Sequence, residues 1–203
     1  MSAIDPTADG PTASEPAAKL AVKARVPARA YITWPRRPKG ASKMLLVVRH
    51  ADAGDKRSWT GPDSLRPLSP TGRRQAEGLR VRLEDYPVDR ILSSPTLRCQ
   101  QTVQPLADDR FLRIEPLAAL GVDAGPDQLR ALLWDRRLGN VVLCTHGEVI
   151  GRVLAELVAE GLVAEDPLDW PKGSTWLLHR TDRQVYGRLL APLALEGPQS
   201  AGP

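Results

Sequence analysis

The chain has 203 residues, 42% of them hydrophobic but only 4% aromatic, so it can bury the core of one α/β domain and must build it from Leu, Val, Ala and Ile. Its net charge of +4 belongs to a leader in which Lys19, Lys23, Arg25, Arg29, Arg36, Arg37, Lys39 and Lys43 follow one another with no acid between them. No apolar run approaches the roughly 20 residues needed to span a bilayer. Residues 1–18 carry Asp5, Asp9 and Glu15 with prolines and no apolar stretch, so no secretory signal is expected there. Cys99 and Cys144 form no C-x-x-C pair, so no metal or redox motif is readable, and two isolated thiols suit a reducing cytosol. A cytoplasmic protein without membrane association is expected.

Residues 1–40 are rich in Ala, Pro and basic charge and are expected to be a disordered leader, with residues 30–34 apolar enough for a short edge strand. The folded domain is expected over 41–195, with a flexible tail over 196–203. Met44-Leu45-Leu46-Val47-Val48 is a continuous aliphatic run and predicts a strand buried on both faces, ending at Arg49-His50. A polar loop follows to Leu68. Ser69-Pro70 then has the form of an N-cap and first helical residue. Ala76, Leu79 and Leu83 share one face of that helix, which Pro87 ends.

A second strand is predicted over 88–92, ending at Ser93-Ser94, with Pro95 at the start of a helix running to 106. Residues 111–114 suggest a short strand, and 126–138 a helix with Leu129, Leu132 and Leu133 inward. Residues 140–144 form another apolar strand, followed by a helix over 147–160. Residues 175–178 and 185–190 suggest a closing hairpin. Strands alternating with helices predict a three-layer α/β/α sandwich with a mostly parallel central sheet.

Three strand ends share one pattern: Arg49-His50, Ser93-Ser94-Pro95-Thr96-Leu97-Arg98, and Cys144-Thr145-His146-Gly147. In an open parallel sheet the ligand crevice lies beyond the carboxyl ends of the strands. Arg49, His50, Arg98 and His146 then converge on one edge. Guanidiniums fork onto oxyanions, and helix starts at Pro95 and Gly147 add free N–H groups. A neutral imidazole there can attack phosphorus, with the arginines expected to keep it unprotonated.

Leu46-Val47-Val48-Arg49-His50-Ala51, Arg66-Pro67-Leu68-Ser69-Pro70-Thr71-Gly72, Ser93-Ser94-Pro95-Thr96-Leu97-Arg98-Cys99-Gln100-Gln101-Thr102 and Thr145-His146-Gly147 together resemble the histidine phosphatase superfamily, with its phosphoglycerate mutase-like fold. Small SixA-type phosphohistidine phosphatases are the nearest shape. Lys172-Gly173-Ser174-Thr175-Trp176 also resembles the histidine phosphatase-like half of two-domain actinobacterial Nudix hydrolases.

The resemblance implies that His50 is transiently phosphorylated, that Arg49, Arg98 and His146 hold the phosphoryl group, and that neither metal nor cofactor takes part. It departs from the family in having Ala51 where Gly is usual, and Lys56 near the place of a usual Asn. The acidic proton donor should lie between Arg98 and His146, where Glu115 and Asp123 are the candidates. A weak donor favours a phosphohistidine or nucleotide-type phosphate over a sugar phosphate, because alkyl leaving groups need protonation.

Other readings are a phospho-ligand binding pseudo-enzyme, a metallophosphatase with His50, Asp52 and His146 as ligands, and nucleic-acid binding through the basic leader. The expected partner is a small phosphorylated substrate or a phosphohistidine protein. Oligomeric state is not legible from the residues.

Overall fold

The computed structural model describes residues 44–195, apart from 136, 165, 181–184 and 194. The expected leader, the edge strand at 30–34 and the tail beyond 195 lie outside the described residues.

Among the described residues, seven strands and four α-helices follow one another, alternating as far as the fourth helix. In chain order they are β1 (Met44–Arg49), α1 (Pro70–Arg82), β2 (Arg90–Ser93), α2 (Leu97–Arg110), β3 (Ile114–Pro116), α3 (Pro126–Trp134), β4 (Val141–Thr145), α4 (Gly147–Ala159), β5 (Val163–Ala164), β6 (Thr175–Arg180) and β7 (Val185–Leu190). The strands form one sheet in the order β3-β2-β4-β1-β6-β7-β5. Only β6 runs against the rest, pairing antiparallel with β1 and β7, so the sheet is mostly parallel as expected.

The period-2 alternation of strand side chains sorts the core into two layers. Leu46, Val48, Ile91, Val142 and Cys144 face α1 and α2, where Leu79, Leu83, Val103 and Leu106 meet them. Leu45, Val47, Leu92, Val141 and Leu143 face α3 and α4, against Leu129, Ile150, Val153 and Leu154. Both faces are covered, which is why β1 and β4 read as unbroken aliphatic runs. No helix among the described residues is long and apolar enough to cross a membrane.

Four local expectations shift. Pro95 precedes the Thr96 N-cap instead of opening the helix, and α2 continues through Pro105 to Arg110. Phe111 is not in a strand. It caps α2 in the left-handed region at φ 56°, almost wholly exposed, and Leu112 N donates back to Ala107 O at 2.9 Å. The strand therefore begins at Ile114. The third helix stops at Trp134 instead of 138, because the Asp135 carboxylate accepts from Arg137 N at 2.9 Å and turns the chain out of the helix. The two-residue β5 is too short to leave a periodic signal.

Helix α1 is anchored as its sequence predicts: Ser69 Oγ accepts from Gly72 N at 3.0 Å. Gly72 also presses on the loop after His50, since a Cβ there would lie 1.9 Å from Asp52 O. Gly72→Ala must therefore push that loop away from α1. The expected cost is about 1–3 kcal/mol of stability in urea unfolding; no loss would mean that the contact is soft.

Candidate active site

β4 lies between β1 and β2, and the three strands end level, with Arg49 beside Thr145 and Ser93 beside Cys144. Past the strand ends the backbone pairing continues. His50 N donates to Thr145 O at 3.0 Å, and Ser94 N to Cys144 O at 2.9 Å. His50 and His146 thereby meet, with ring centroids 5.3 Å apart and planes at 66°. The third histidine, His179, pairs with Met44 at the opposite end of β1, away from this edge.

Hydrogen-bond partners assign the two tautomers. His50 Nδ1 lies 2.8 Å from Ala51 O. A carbonyl only accepts, so Nδ1 carries the proton and Nε2 presents its lone pair. His146 is the reverse. Its Nδ1 faces Arg98 NH2, which only donates, at 3.3 Å, so its proton sits on Nε2 and points to Ser94 Oγ at 2.9 Å. Cys99 Sγ lies 3.7 Å from the same nitrogen.

Both arginines are built in. Arg49 NH1 donates to Trp170 O at 2.7 Å, and a Cβ at Gly147 would lie 2.8 Å from its Cζ. Glycine at 147 is what lets the guanidinium lie against the start of α4. Arg98 is only 3% exposed. Its NH1 donates to Asp63 O at 2.7 Å and its NH2 forms an ion pair with Asp63 Oδ2 at 3.1 Å. The Nε–H groups of Arg49 and Arg98 are buried and have no hydrogen-bond partner among the described residues. Each guanidinium has five N–H groups and shares only some of them with the protein, so donors remain for an oxyanion.

Three residues on one face of α2 tie this site together. Beside Arg98, Gln101 Oε1 accepts from Leu68 N at 2.8 Å and Thr102 Oγ1 accepts from Ala51 N at 2.9 Å. Thr102 also donates to Arg98 O at 2.7 Å. The spacing i, i+3, i+4 puts all three on one side of the helix. Ala51 is buried in a small cluster with Ala53, Leu68 and Ala76, which accommodates its methyl where the family has Gly.

Burial lowers His50 from its ordinary 6.5 to about 4; the like charges of His146 and Arg98 add less, so the expectation that the arginines dominate is corrected. Asp52 is lowered to about 2 although burial opposes this, because Lys172 Nζ at 2.7 Å and Ser69 Oγ at 2.6 Å bind its oxygens. With an ammonium on it, Asp52 is not arranged with His50 and His146 as a metal ligand. No cluster of three or more His, Cys, Asp or Glu among the described residues could hold a metal ion.

The two candidate donors stand apart. Glu115 forms a two-pronged pair with Arg90, at 2.9 and 2.6 Å, and Arg90 holds its carboxyl below the usual range. A carboxylate so held is ionised at neutral pH and has no proton to give. Asp123 is exposed in the loop before α3. No hydrogen bond or ion pair among the described residues joins either to Arg49, His50, Arg98 or His146.

No local pattern in the sequence marks Asp63. Ser94 stands in a strand-end motif that by itself gives it no role. Glu148, in the first turn of α4, belongs to none of the motifs. The backbone N–H of Glu148 holds its carboxyl low against burial, helped by the charges of His146 and Arg49. The loop Arg57 and Trp59 belong to encloses a pocket of about 180 Å³, lined among others by Asp55, Trp59, Arg66 and Ser69.

Residues 45–121 match the family described as histidine phosphatase superfamily (branch 1). An 8-oxo-(d)GTP phosphatase from Mycolicibacterium smegmatis (strain ATCC 700084 / mc(2)155) is 35% identical over 151 residues, covering 72% of this chain and 47% of that protein. The chain therefore spans about half the length of this curated relative. Among solved structures, the protein histidine phosphatase SixA complexed with tungstate is similar with a TM-score of 0.57 at 22% identity, covering 74% of this chain and 96% of SixA. A mycobacterial glucosyl-3-phosphoglycerate phosphatase gives 0.51 at 18%, covering 73% and 97%. At these identities the structures establish a shared fold.

The tautomer and burial of His50 make a titration testable. Between pH 6.5 and 4 the unfolded chain binds a proton at this position that the folded protein refuses. Stability is thus full above 6.5 and falls as pH drops toward 4, by about 3 kcal/mol from this residue. NMR titration should find the His50 imidazole neutral at pH 5.5 with its proton on Nδ1. A midpoint near 6.5 would sink the burial argument.

Proposed function

The described domain belongs to the histidine phosphatase superfamily, and from that premise we propose that it is a phosphohydrolase in which His50 carries the phosphoryl group between donor and water. The observation that supports this best is the His50 Nε2 lone pair at the edge where two guanidiniums, Arg98 buried and Arg49 half-buried, each keep an unpaired N–H. Nε2 attacks phosphorus, the bond from phosphorus to the leaving group breaks, and the leaving group departs with its electron pair. Water then attacks the phosphohistidine, releasing inorganic phosphate and restoring the imidazole. Arg49 and Arg98 meet the charge on the transferring group, the main source of catalysis in phosphoryl transfer. His146 offers no proton at Nδ1 while it accepts from Arg98, so its part is to orient that guanidinium until substrate displaces the contact. Nucleophile and charge stabilisation both come from side chains, so no step calls for a metal.

The substrate class follows from the leaving group. Glu115 is occupied by Arg90, and Glu148 and Asp63 are held in their ionised forms. Protonating an alkoxide leaving group is worth about 10²–10⁴ in rate, and substrates with better leaving groups lose less without it. We therefore read the enzyme as a SixA-like phosphohistidine phosphatase. The relative that is 35% identical favours a second reading, a nucleotide phosphate as donor.

A panel of phosphohistidine peptide, nucleoside di- and triphosphates, sugar phosphates and an aryl phosphate decides between them. An acid-labile phosphoenzyme is expected with the favoured donor and is absent from His50→Ala. Arg98→Ala should lower kcat by about 10²–10³. A rate advantage for sugar phosphates would refute the leaving-group argument. Failure of every donor to phosphorylate His50 would refute the catalytic reading.

A further inference from the structure

We propose that Asp63 is the positioning residue of the phosphoryl cradle, fixing Arg98 from the loop so that the guanidinium turns its unpaired edge to the substrate. The inference rests on the phosphohydrolase reading and adds to it a residue outside the family's motifs.

A guanidinium that is 3% exposed must be matched by an opposite charge, because an uncompensated buried charge is strongly destabilising. Among the described residues Asp63 is the one carboxylate in an ion pair with Arg98. It holds both terminal nitrogens, NH1 through its backbone oxygen at 2.7 Å and NH2 through Oδ2 at 3.1 Å. His146 Nδ1 takes a further contact from NH2 at 3.3 Å. With three of its five N–H groups taken the guanidinium is held in place, and Nε–H and one N–H of NH1 are left over.

Asp63 is itself fixed. Its other oxygen, Oδ1, accepts from Arg66 Nε at 2.9 Å, and Arg66 NH1 donates to Ala53 O at 2.8 Å. The preceding residue is pinned as well, since Pro62 O accepts from Trp59 Nε1 at 3.0 Å and from Leu65 N at 2.9 Å. One carboxylate thus joins two guanidiniums and links the 53–66 loop to the catalytic edge. Burial raises the Asp63 carboxyl, but the hydrogen bond from Arg66 and the charge of Arg98 outweigh it, so the anion persists at neutral pH.

The charge of Asp63 has two opposed effects. It orients Arg98, which favours the transition state. It also cancels part of the positive field that attracts a phosphate in the ground state. An amide at this position has one acceptor oxygen for two guanidiniums and turns N–H toward the other. Removing the charge should therefore slow turnover without weakening phosphate binding. A role confined to folding would instead remove active enzyme, leaving kcat per folded molecule unchanged.

The test compares the full chain with Asp63→Asn and Asp63→Glu, using phosphoramidate as donor and inorganic phosphate as inhibitor. Rates are normalised to the fraction of His50 that can be phosphorylated. For Asp63→Asn, kcat should fall about 10- to 30-fold while phosphate inhibits as tightly as in wild type or more tightly. For Asp63→Glu, which keeps the charge but moves it by one methylene, kcat should fall about 3- to 5-fold with phosphate affinity unchanged. A normalised kcat within about twofold of wild type, or phosphate affinity lost in step with kcat, would overturn the proposal. If Asp63→Asn does not fold, Asp63→Glu decides by the same criteria. A wild-type chain that forms no phosphoenzyme at His50 would mark the failure of the functional reading instead.

Discussion

The candidate site depends on one constraint: β4 lies between β1 and β2 and all three end at the same level. His50 and Ser94 each follow an outer strand, and each donates its backbone N–H to a carbonyl of β4. Both bonds are buried. Losing one costs about 1–3 kcal/mol, so neither side chain can slide along its strand. A slip of one residue would also turn every core side chain of that strand to the wrong layer. The hydrophobic core thus sets the position of the chemistry, because it sets the register that brings His50 to His146.

Two guanidiniums sit at this edge, and the fold tolerates them by different means. Arg49 is met by the Trp170 carbonyl and by the absence of a side chain at Gly147. Arg98, more deeply buried, is met by a full negative charge from Asp63. In both, part of the donor set is satisfied by protein and part is left over. A cradle held this way needs little rearrangement when an oxyanion arrives, which is the condition for strong charge stabilisation.

The histidines divide the work through opposite tautomers. A carbonyl takes the proton of His50 at Nδ1 and frees Nε2 for attack; Arg98 claims Nδ1 of His146 and sends its proton to Ser94. Burial then keeps His50 neutral well below neutral pH. Helix α2 connects these parts. Arg98, Gln101 and Thr102 reach the cradle, the loop and the residue after His50 from one helical face.

Much of this was legible in the residues alone. Aliphatic runs marked β1 and β4, Ser69-Pro70 marked the start of α1, and the three polar strand ends marked Arg49, His50, Arg98 and His146 as one group. Those signals are local: they depend on alternation, on capping geometry and on which residue follows a strand. What the tertiary structure decided is who meets whom across long stretches of chain. Arg49 finds Trp170 across 121 positions, Ser94 finds His146 across 52, and Arg98 finds Asp63 across 35. The occupation of Glu115 by Arg90 is of the same kind, as is the lowering of His50 by burial more than by charge. Side chains this far apart in sequence share no period or motif, and only the packing of the sheet and its helices brings them within hydrogen-bonding distance.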